Sequence, residues 1–213
     1  MLFERTEGGM TDIPLHHIVY GTCTDFVTGE TLTDTDDERI RQRIVRLLVE
    51  ERGFAKGELE MRLRIETLFA RQFVTSKIDI VVQYNGKSFM IIRYAPGSLV
   101  TRERSAIAAA RVLRDDYQIP LAVVTNGEDA ELLDCLTGKV LGSGMGAIPS
   151  RDDAARMFDQ LRFLPLPEPV KREKELRILN AYDVEVCCAG GPCALPHAPE
   201  GRGGNTITEK KDG

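Results

Sequence analysis

One acidic residue interrupts an otherwise apolar stretch of the sequence, SKIDIVVQYNGKSFMIIRYAPGSL, at residues 76–99. This residue is Asp79, and its carboxylate is a hard oxygen ligand of the kind that binds Mg²⁺. Lys77 shares its strand face, because side chains alternate along a strand with a period of two. Asp79 is therefore either part of a metal site or a buried acid whose charge a neighbouring lysine satisfies, and the residues alone leave both interpretations open.

A second group of reactive side chains lies in the segment CCAGGPC. Cys187, Cys188 and Cys193 stand here with His197 nearby. Thiolates and an imidazole form tetrahedral zinc sites, but this spacing matches none of the common zinc patterns. The cluster predicts either a metal site or a group of redox-active or incidental thiols. Cys135 lies within a strand pattern and is expected in the core.

Arginine residues are concentrated in the segment that follows the acidic first 38 residues. Arg41, Arg43 and Arg46 belong to this segment. Such a stripe binds phosphates in some proteins and is a solvated helix face in others. The formal net charge of -5 argues against a protein that coats nucleic acid by net charge alone. The stripe is therefore either a site for nucleic acid or a solvated helix face, and its composition leaves both interpretations open.

The composition predicts one domain with additional tails. The chain has 213 residues, of which 42% are hydrophobic, enough for one core. It contains no apolar run of about 18 residues, as a membrane-spanning helix would need, and the start MLFERTEGGM lacks the pattern of a signal peptide. We therefore expect a cytoplasmic protein whose five cysteines are mostly reduced.

One helix signal and three strand signals follow each other in the first half of the sequence. The segment ERIRQRIVRLLVEERG carries apolar residues at helical spacing, between the cap candidate Thr35 and the terminating Gly53. ELEMRLRIETLFA alternates with the period of a half-buried strand. KIDIVVQY and SFMIIRYA are apolar runs typical of central strands, and Asn85-Gly86 predicts a hairpin between them.

The elements that follow complete an α/β pattern. TRERSAIAAARVLRDDY predicts an alanine-rich helix, and IPLAVVTNG predicts a buried strand whose helical crossover implies a parallel neighbour. AELLDCLTGKVLG predicts an edge strand or hairpin, and SRDDAARMFDQLRF predicts a last helix. The order predicts an α/β fold with an αβββαβ core, in which helices flank a mixed central sheet.

These patterns divide the chain into three parts. Residues 1–33 are predicted to be an irregular acidic N-terminal arm, and residues 34–164 to be the α/β domain. Residues 165–213 are predicted to be a linker rich in proline and charge, followed by a partly disordered tail rich in cysteine and glycine.

Four pieces of the sequence, in order, resemble a known family. DERIRQ resembles an acidic-Glu-x-x-Arg-Gln motif that opens a first helix, and KIDIVV resembles a strand that carries a catalytic Asp. MIIRYAP lies where the family has a strand ending in Glu-x-Lys-Ala-Pro, and LAVVTNG resembles a later strand with a Thr-Asn-Gly turn. The family is the N-terminal nuclease domain of type I restriction enzyme R subunits (HsdR), which has the PD-(D/E)XK, or restriction-endonuclease-like, fold.

The resemblance implies a nuclease site and assigns its residues. In such a site an Asp and a Glu on adjacent strands hold Mg²⁺, and a Lys two residues after the Glu orients the attacking water. Asp79 matches the metal-binding Asp, and Glu38 matches a first-helix Glu that supports the metal or its waters. Aligning the Ala-Pro pair of MIIRYAP places Ile92 at the position of the Glu and Tyr94 at that of the Lys.

The two substitutions predict a degenerate site. One carboxylate holds Mg²⁺ poorly, and the water has lost the Lys that would orient it, so Asp79 and Glu38 are expected to be vestigial. We predict no cofactor, and Mg²⁺ only if the nuclease is active. The alternative is an active Mg²⁺-dependent DNA endonuclease with relocated catalytic residues. The candidates for relocation are Lys77, Lys87, Glu60 and Glu66.

The sequence therefore favours a binding protein on a nuclease fold, and not an enzyme. Its predicted partner is DNA, bound through Arg41, Arg43 and Arg46, or another protein, and no membrane partner is expected. A third hypothesis treats the fold as a scaffold for C-terminal cysteines that sense a metal or an oxidant.

Overall fold

A small two-stranded antiparallel sheet and a helix begin the part of the chain that the computed structural model describes, residues 18–69 and 72–188. Their bounds are β1 (Val19–Thr24), β2 (Thr31–Thr35) and α1 (Asp36–Arg46). The sequence predicted an irregular arm for most of the residues in these two strands. Phe26 and Val27, in the turn between the strands, pack on the central core. This tertiary contact stabilises the small sheet. Because the contact is not reflected in any periodic pattern of the sequence, the sequence did not predict the two strands.

Helix α1 begins where the sequence predicted, and its π-helical continuation ends just before the predicted terminator, Gly53. The hydroxyl of Thr35 accepts a hydrogen bond from the backbone N–H of Glu38 (3.2 Å) and caps the first turn. A π-helical turn (Leu47–Glu51) continues the helix. Gly53 then adopts φ 79°, a left-handed conformation that suits glycine and ends the segment.

A six-stranded mixed sheet forms the centre of the molecule. Its strands, in their order across the sheet, are β3 (Leu59–Phe69), β4 (Gln72–Tyr84), β5 (Lys87–Tyr94), β6 (Leu121–Thr125), β7 (Ala130–Asp134) and β8 (Val140–Ser143). Neighbouring strands are antiparallel except β5 and β6, which a crossover through α2 (Val100–Val112) makes parallel. Asn85 and Gly86 form the predicted hairpin turn, with φ 48° and 73°. The αβββαβ core is confirmed.

Helices cover both faces of the sheet. The first face carries a core that includes Ile80, Val82 and Ile92 and packs against α1. The second face carries Val81 and Ile91, which pack against α2. The apolar runs in β4 and β5 are continuous because each residue is buried on one face or the other. The first face also contacts α3 (Arg151–Met157), and the second contacts α4 (Pro169–Cys188).

Strands β3 and β4 change face in their middle. Met61 packs on the first core and Leu63 on the second, although residues two apart share a face in a regular strand. The change occurs at Arg62, which has a left-handed backbone (φ 55°) and lies opposite Asp79 of β4. The alternation in the sequence predicted one buried face for the whole of β3, and the irregular residue shifts its phase.

Residues 169–188 form helix α4, where the sequence predicted a linker. The helix packs along α2, with Leu179 completely buried in the second core. Arg111 of α2 and Glu175 form an ion pair across the two helices (2.5 Å). Pro169 occupies the first helical position, where its missing N–H costs nothing, so the proline that signalled a linker starts a helix. Although α4 has 20 residues, no helix in the described ranges is long and apolar enough to cross a membrane.

Candidate functional site

The start of α1 meets β4 and β5 where the pairing between these strands ends. Asp79 lies there, 8% exposed, one residue beyond the last β4–β5 pair, which joins Ile80 and Ile92. Its Oδ1 accepts a hydrogen bond from Arg41 Nε (2.6 Å), and its Oδ2 accepts one from the backbone N–H of Tyr94 (2.7 Å). The carboxylate therefore replaces a strand partner for Tyr94 and also binds an arginine of α1.

Ile92 and Tyr94 are the two residues that the resemblance aligned with a Glu and a Lys. Both side chains pack in the first core, so both face α1, as the period of two predicts. Ile92 is completely buried and has no side-chain oxygen. The Tyr94 hydroxyl donates a hydrogen bond to Asp37 Oδ1 (3.0 Å). Burial and, to a smaller extent, this hydrogen bond raise the pKa of Tyr94 to about 12, so the phenol is neutral at pH 7.

Glu38 lies in the first turn of α1 and is also 8% exposed. Its Oε1 accepts hydrogen bonds from Gln42 Nε2 (2.8 Å) and Arg62 Nη2 (2.9 Å). Its Oε2 lies 3.6 Å from Arg41 Nη1. Because Arg41 also binds Asp79, its guanidinium lies between the two carboxylates that the resemblance assigned to the metal site. The structure brings Asp79 and Glu38 together through an arginine.

Asp25 extends this network to the turn between β1 and β2. Its buried carboxylate accepts hydrogen bonds from Arg62 (2.5 Å) and Gln42 (3.0 Å). The backbone N–H groups of Val27 (2.8 Å) and Thr28 (2.7 Å) also donate to it. Burial by itself raises the pKa of the Asp25 carboxyl, but the hydrogen bonds outweigh burial and lower that pKa to about 2. Asp25 is therefore ionised at neutral pH, and Arg62 matches its charge.

The residues at this position are not a ligand set that suits Mg²⁺, which demands close octahedral coordination by oxygen. Both oxygens of Asp79 accept hydrogen bonds, and Ile92 offers only carbon atoms. Burial lowers the pKa of the Arg41 guanidinium, but Asp79 and Glu38 outweigh it and raise that pKa. The guanidinium is thus a fixed cation between the acids. Within the described ranges, no three His, Cys, Asp or Glu residues are arranged to hold a metal ion.

The candidates for a relocated catalytic site are spread over the sheet. Glu60 pairs with Arg114 of the segment after α2, and Lys87 lies over two aromatic rings. Glu66 and Lys77 are exposed on the outer halves of β3 and β4. Of these four residues, Lys77 lies nearest to Asp79 along the chain, two residues before it on β4.

The three arginines predicted to bind nucleic acid do not lie together on α1. Arg41 faces the sheet, where its side chain is 26% exposed and paired with Asp79. Arg43 and Arg46 are exposed on another side of the helix, which they share with Arg39. Residues three and four positions apart are neighbours on a helix surface, which explains this grouping.

The C-terminal cysteine site stays a prediction. Cys187 and Cys188 lie at the end of α4, and Cys193 and His197 lie outside the described residues. Cys135 is buried in the second core, as expected, and burial raises the pKa of its thiol.

The acid cluster consists of Asp79, Glu38 and Asp25 with their partners Arg41, Arg62 and Gln42. All of its members except Asp25 fall within a stretch of the chain that matches one protein family. Residues 36–149 match the family described as type I restriction enzyme R protein N terminus (HSDR_N). The chain belongs to this family. The matched stretch begins with α1 and ends just before α3, so it includes Asp79 and its partner Arg41. No curated protein and no solved structure matches the chain.

The β1–β2 sheet and two helices lie outside the HsdR N-terminal region of the chain. The sheet precedes the matched residues, and α3 and α4 follow them. The sheet and α4 attach to the family core by charged contacts, Asp25 with Arg62 and Glu175 with Arg111. The acid cluster thus contains a residue, Asp25, that the family region does not supply.

The sequence alone did not identify Asp25, Gln42 and Arg62 as members of this cluster. The sequence showed Gln42 as the last residue of the DERIRQ motif, but it gave no indication of its hydrogen-bond partners. Asp25 forms an Asx turn with the next residues, which the segment TDFVTG indicates, but its long-range partners leave no local signal. Arg62 is directed toward α1 by the change of face within β3, which the alternating pattern does not show.

Proposed function

We propose that this protein is a member of the HsdR N-terminal family with a degenerate nuclease site, which binds nucleic acid and does not cleave it. The hydrogen bonds that Asp79 accepts support this proposal best. Arg41 binds one of its oxygens and the Tyr94 N–H binds the other. Ile92 occupies the position where a second metal-binding carboxylate is required.

The chemistry of phosphodiester cleavage explains why these contacts matter. A metal ion must stabilise the developing charge and generate hydroxide from water. Binding of Mg²⁺ by Asp79 would require Arg41 to leave and would deprive the buried Tyr94 N–H of its acceptor, a loss of roughly 1–3 kcal/mol. The Tyr94 side chain, at the position of the Lys, is neutral and donates to Asp37. We expect no requirement for Mg²⁺.

The binding function rests on the outward arginines of α1. Arg43 and Arg46 direct their charge to solvent, whereas Asp79 and Glu38 neutralise Arg41. Arginines placed in this way contact phosphates electrostatically, and such contacts weaken as salt displaces them. An acidic protein surface is the other partner that this charge would fit.

A combined cleavage and binding assay tests the proposal. With Mg²⁺ or Mn²⁺ present, the protein should leave plasmid and single-stranded DNA intact on gels. By fluorescence anisotropy it should bind DNA with an affinity that falls steeply between about 50 and 200 mM salt. Asp79→Asn should change neither result. Cleavage that Asp79→Asn abolishes would contradict the degenerate site, and no affinity at low salt would contradict the binding function.

An active endonuclease is the second candidate, and the position of Lys77 favours it. Lys77 is exposed on β4, two residues before Asp79. If it has taken the role of the water-orienting Lys, Lys77→Ala should abolish cleavage as completely as Asp79→Asn does. Lys87→Ala is the matched control and should cleave normally, because Lys87 lies over the rings of Tyr117 and Phe163.

A further inference from the structure

Two neighbouring recesses, together called the groove, lie between α1 and the β1–β2 sheet. Their volumes are about 410 and 280 Å³, and they share Thr24 and Arg46 as lining residues. Basic side chains line the groove, and these are Arg39, Arg43, Arg46 and Lys56. The β1–β2 wall lies outside the HsdR N-terminal region of the chain.

Two carboxylates lie along the groove, and side chains of the protein neutralise both. Asp34 forms a bidentate pair with Arg39, at 2.7 and 2.8 Å. Asp25 is buried and paired with Arg62. Neither acid therefore cancels the charge of the three remaining cations.

Carboxylates in the described ranges offset little of the charge of Arg43, Arg46 and Lys56. Arg43 is exposed and forms no ion pair with a residue in the described ranges. Arg46 lies 3.4 Å from Glu50, and a pair so exposed contributes little. Lys56 donates to the carbonyl oxygen of Phe26 and not to a carboxylate. The groove therefore offers positive charge to an anionic ligand.

An aromatic ring lies beside each recess. Lys56 and Arg46 lie over the ring of Phe26, at 3.8 and 4.3 Å from its centroid. Arg39 lies 3.8 Å over the ring of Tyr20, which is 48% exposed. Proteins that bind single strands combine cations, which contact phosphates, with aromatic rings, on which bases stack.

The dimensions of the groove fit one strand. Arg39 and Arg46 are seven residues apart on α1, about 10 Å along the helix axis. A stacked strand carries one phosphate per roughly 3.4 Å, so this side of the helix spans about three phosphates. Recesses of 410 and 280 Å³ are at the low end of ligand pockets.

We propose that this groove binds the sugar–phosphate backbone of a single nucleic-acid strand through Arg43, Arg46 and Lys56. The proposal rests on the nucleic-acid-binding function proposed above and specifies its site. It places the contact on the side of α1 that faces away from Asp79, so Arg41 takes no part. The β1–β2 sheet also lines the groove, through Cys23, Thr24 and Asp34.

Charge reversal in the full chain tests the groove, with a fluorescent oligothymidylate as the probe. Arg43→Glu should weaken binding about ten-fold, and adding Lys56→Glu should weaken it further. The slope of log affinity against log salt should fall by about 0.7 for each phosphate that the variant no longer neutralises. Arg64→Glu is the matched control, because Arg64 is an exposed cation on β3, outside the groove. It should change affinity less than about two-fold. Circular dichroism verifies that each variant is folded.

Other results would contradict the proposal that this groove binds a single nucleic-acid strand. Equal losses for Arg43→Glu and Arg64→Glu would show that binding follows net charge. A loss only for Arg41→Ala would place the contact at the acid cluster and leave the proposed function intact. Tighter binding of duplex DNA, or equal competition by poly-glutamate, would assign a different ligand. Absence of any binding by the unaltered protein at low salt would overturn both proposals.

Discussion

At the scale of single residues, Arg62 connects the acid cluster. Its backbone is left-handed (φ 55°), a conformation that costs a non-glycine residue roughly 1–2 kcal/mol. Its guanidinium pairs with Asp25 and with Glu38, which come from different elements. The strain persists because these ion pairs and the surrounding sheet hold the residue in place.

Two substitutions of Arg62 separate the ion pairs from the strain. Arg62→Ala removes both pairs and leaves buried Asp25 without a matching cation, so the free energy of unfolding should fall by about 3 kcal/mol. Arg62→Gly removes the same pairs but adopts φ 55° freely, so it should be about 1 kcal/mol more stable than Arg62→Ala. Urea denaturation measures both values. A less stable glycine variant would mean that the backbone at this position is not strained.

At the scale of elements, a glycine lets β6 approach α1. Gly127 ends the Thr-Asn-Gly turn after β6 and has φ 90°. A Cβ atom there would overlap the Cγ2 methyl group of Ile40 in α1. The turn therefore helps to set the position of α1, and with it the position of Arg41 over Asp79.

Gly127→Ala should destabilise the protein more than a glycine substitution elsewhere. We expect a loss of about 3 kcal/mol, from the unfavourable backbone conformation and from the overlap with Ile40. Gly138→Ala is the matched control, because Gly138 also has positive φ (72°) but has no atom within 4 Å of an added Cβ. It should lose only about 1 kcal/mol. Equal losses in thermal or urea unfolding would contradict the close approach.

At the scale of the whole molecule, Asp25 links the β1–β2 sheet to the core and makes global stability depend on pH. Its pKa is about 2 in the folded protein and 3.8 ordinarily, so the unfolded chain takes up the proton first as pH falls. The stabilisation is complete above pH 3.8 and is lost as pH falls toward 2. It should amount to roughly 2 kcal/mol.

Urea unfolding at a series of pH values between about 5 and 2 measures this contribution. Asp25→Asn should lose stability at neutral pH, and its remaining stability should fall less steeply in acid than that of the unaltered protein. Asp152→Asn is the control, because Asp152 is exposed on α3, and it should keep the original pH dependence. An unchanged acid slope in Asp25→Asn would contradict the lowered pKa.

Local patterns predicted the central elements but not the attached ones. The caps and apolar spacing of α1, the Asn85-Gly86 turn and the buried strands all follow from short-range chemistry. The β1–β2 sheet and α4 were missed, because Phe26 and Leu179 stabilise them by contacts with residues distant in the sequence. The face change at Arg62 was missed because one irregular backbone conformation shifts the phase of an otherwise regular alternation.

The sequence by itself determined the αβββαβ order and the family resemblance. It also determined which residues, Ile92 and Tyr94, the resemblance aligns with a Glu and a Lys, because residue identity and spacing are local properties. Only the tertiary structure decided what Asp79 binds: Arg41 comes from a helix 38 positions earlier, and the Tyr94 N–H becomes available where the β4–β5 pairing ends. Partners of this kind depend on how the elements pack, and packing is a property of the whole chain.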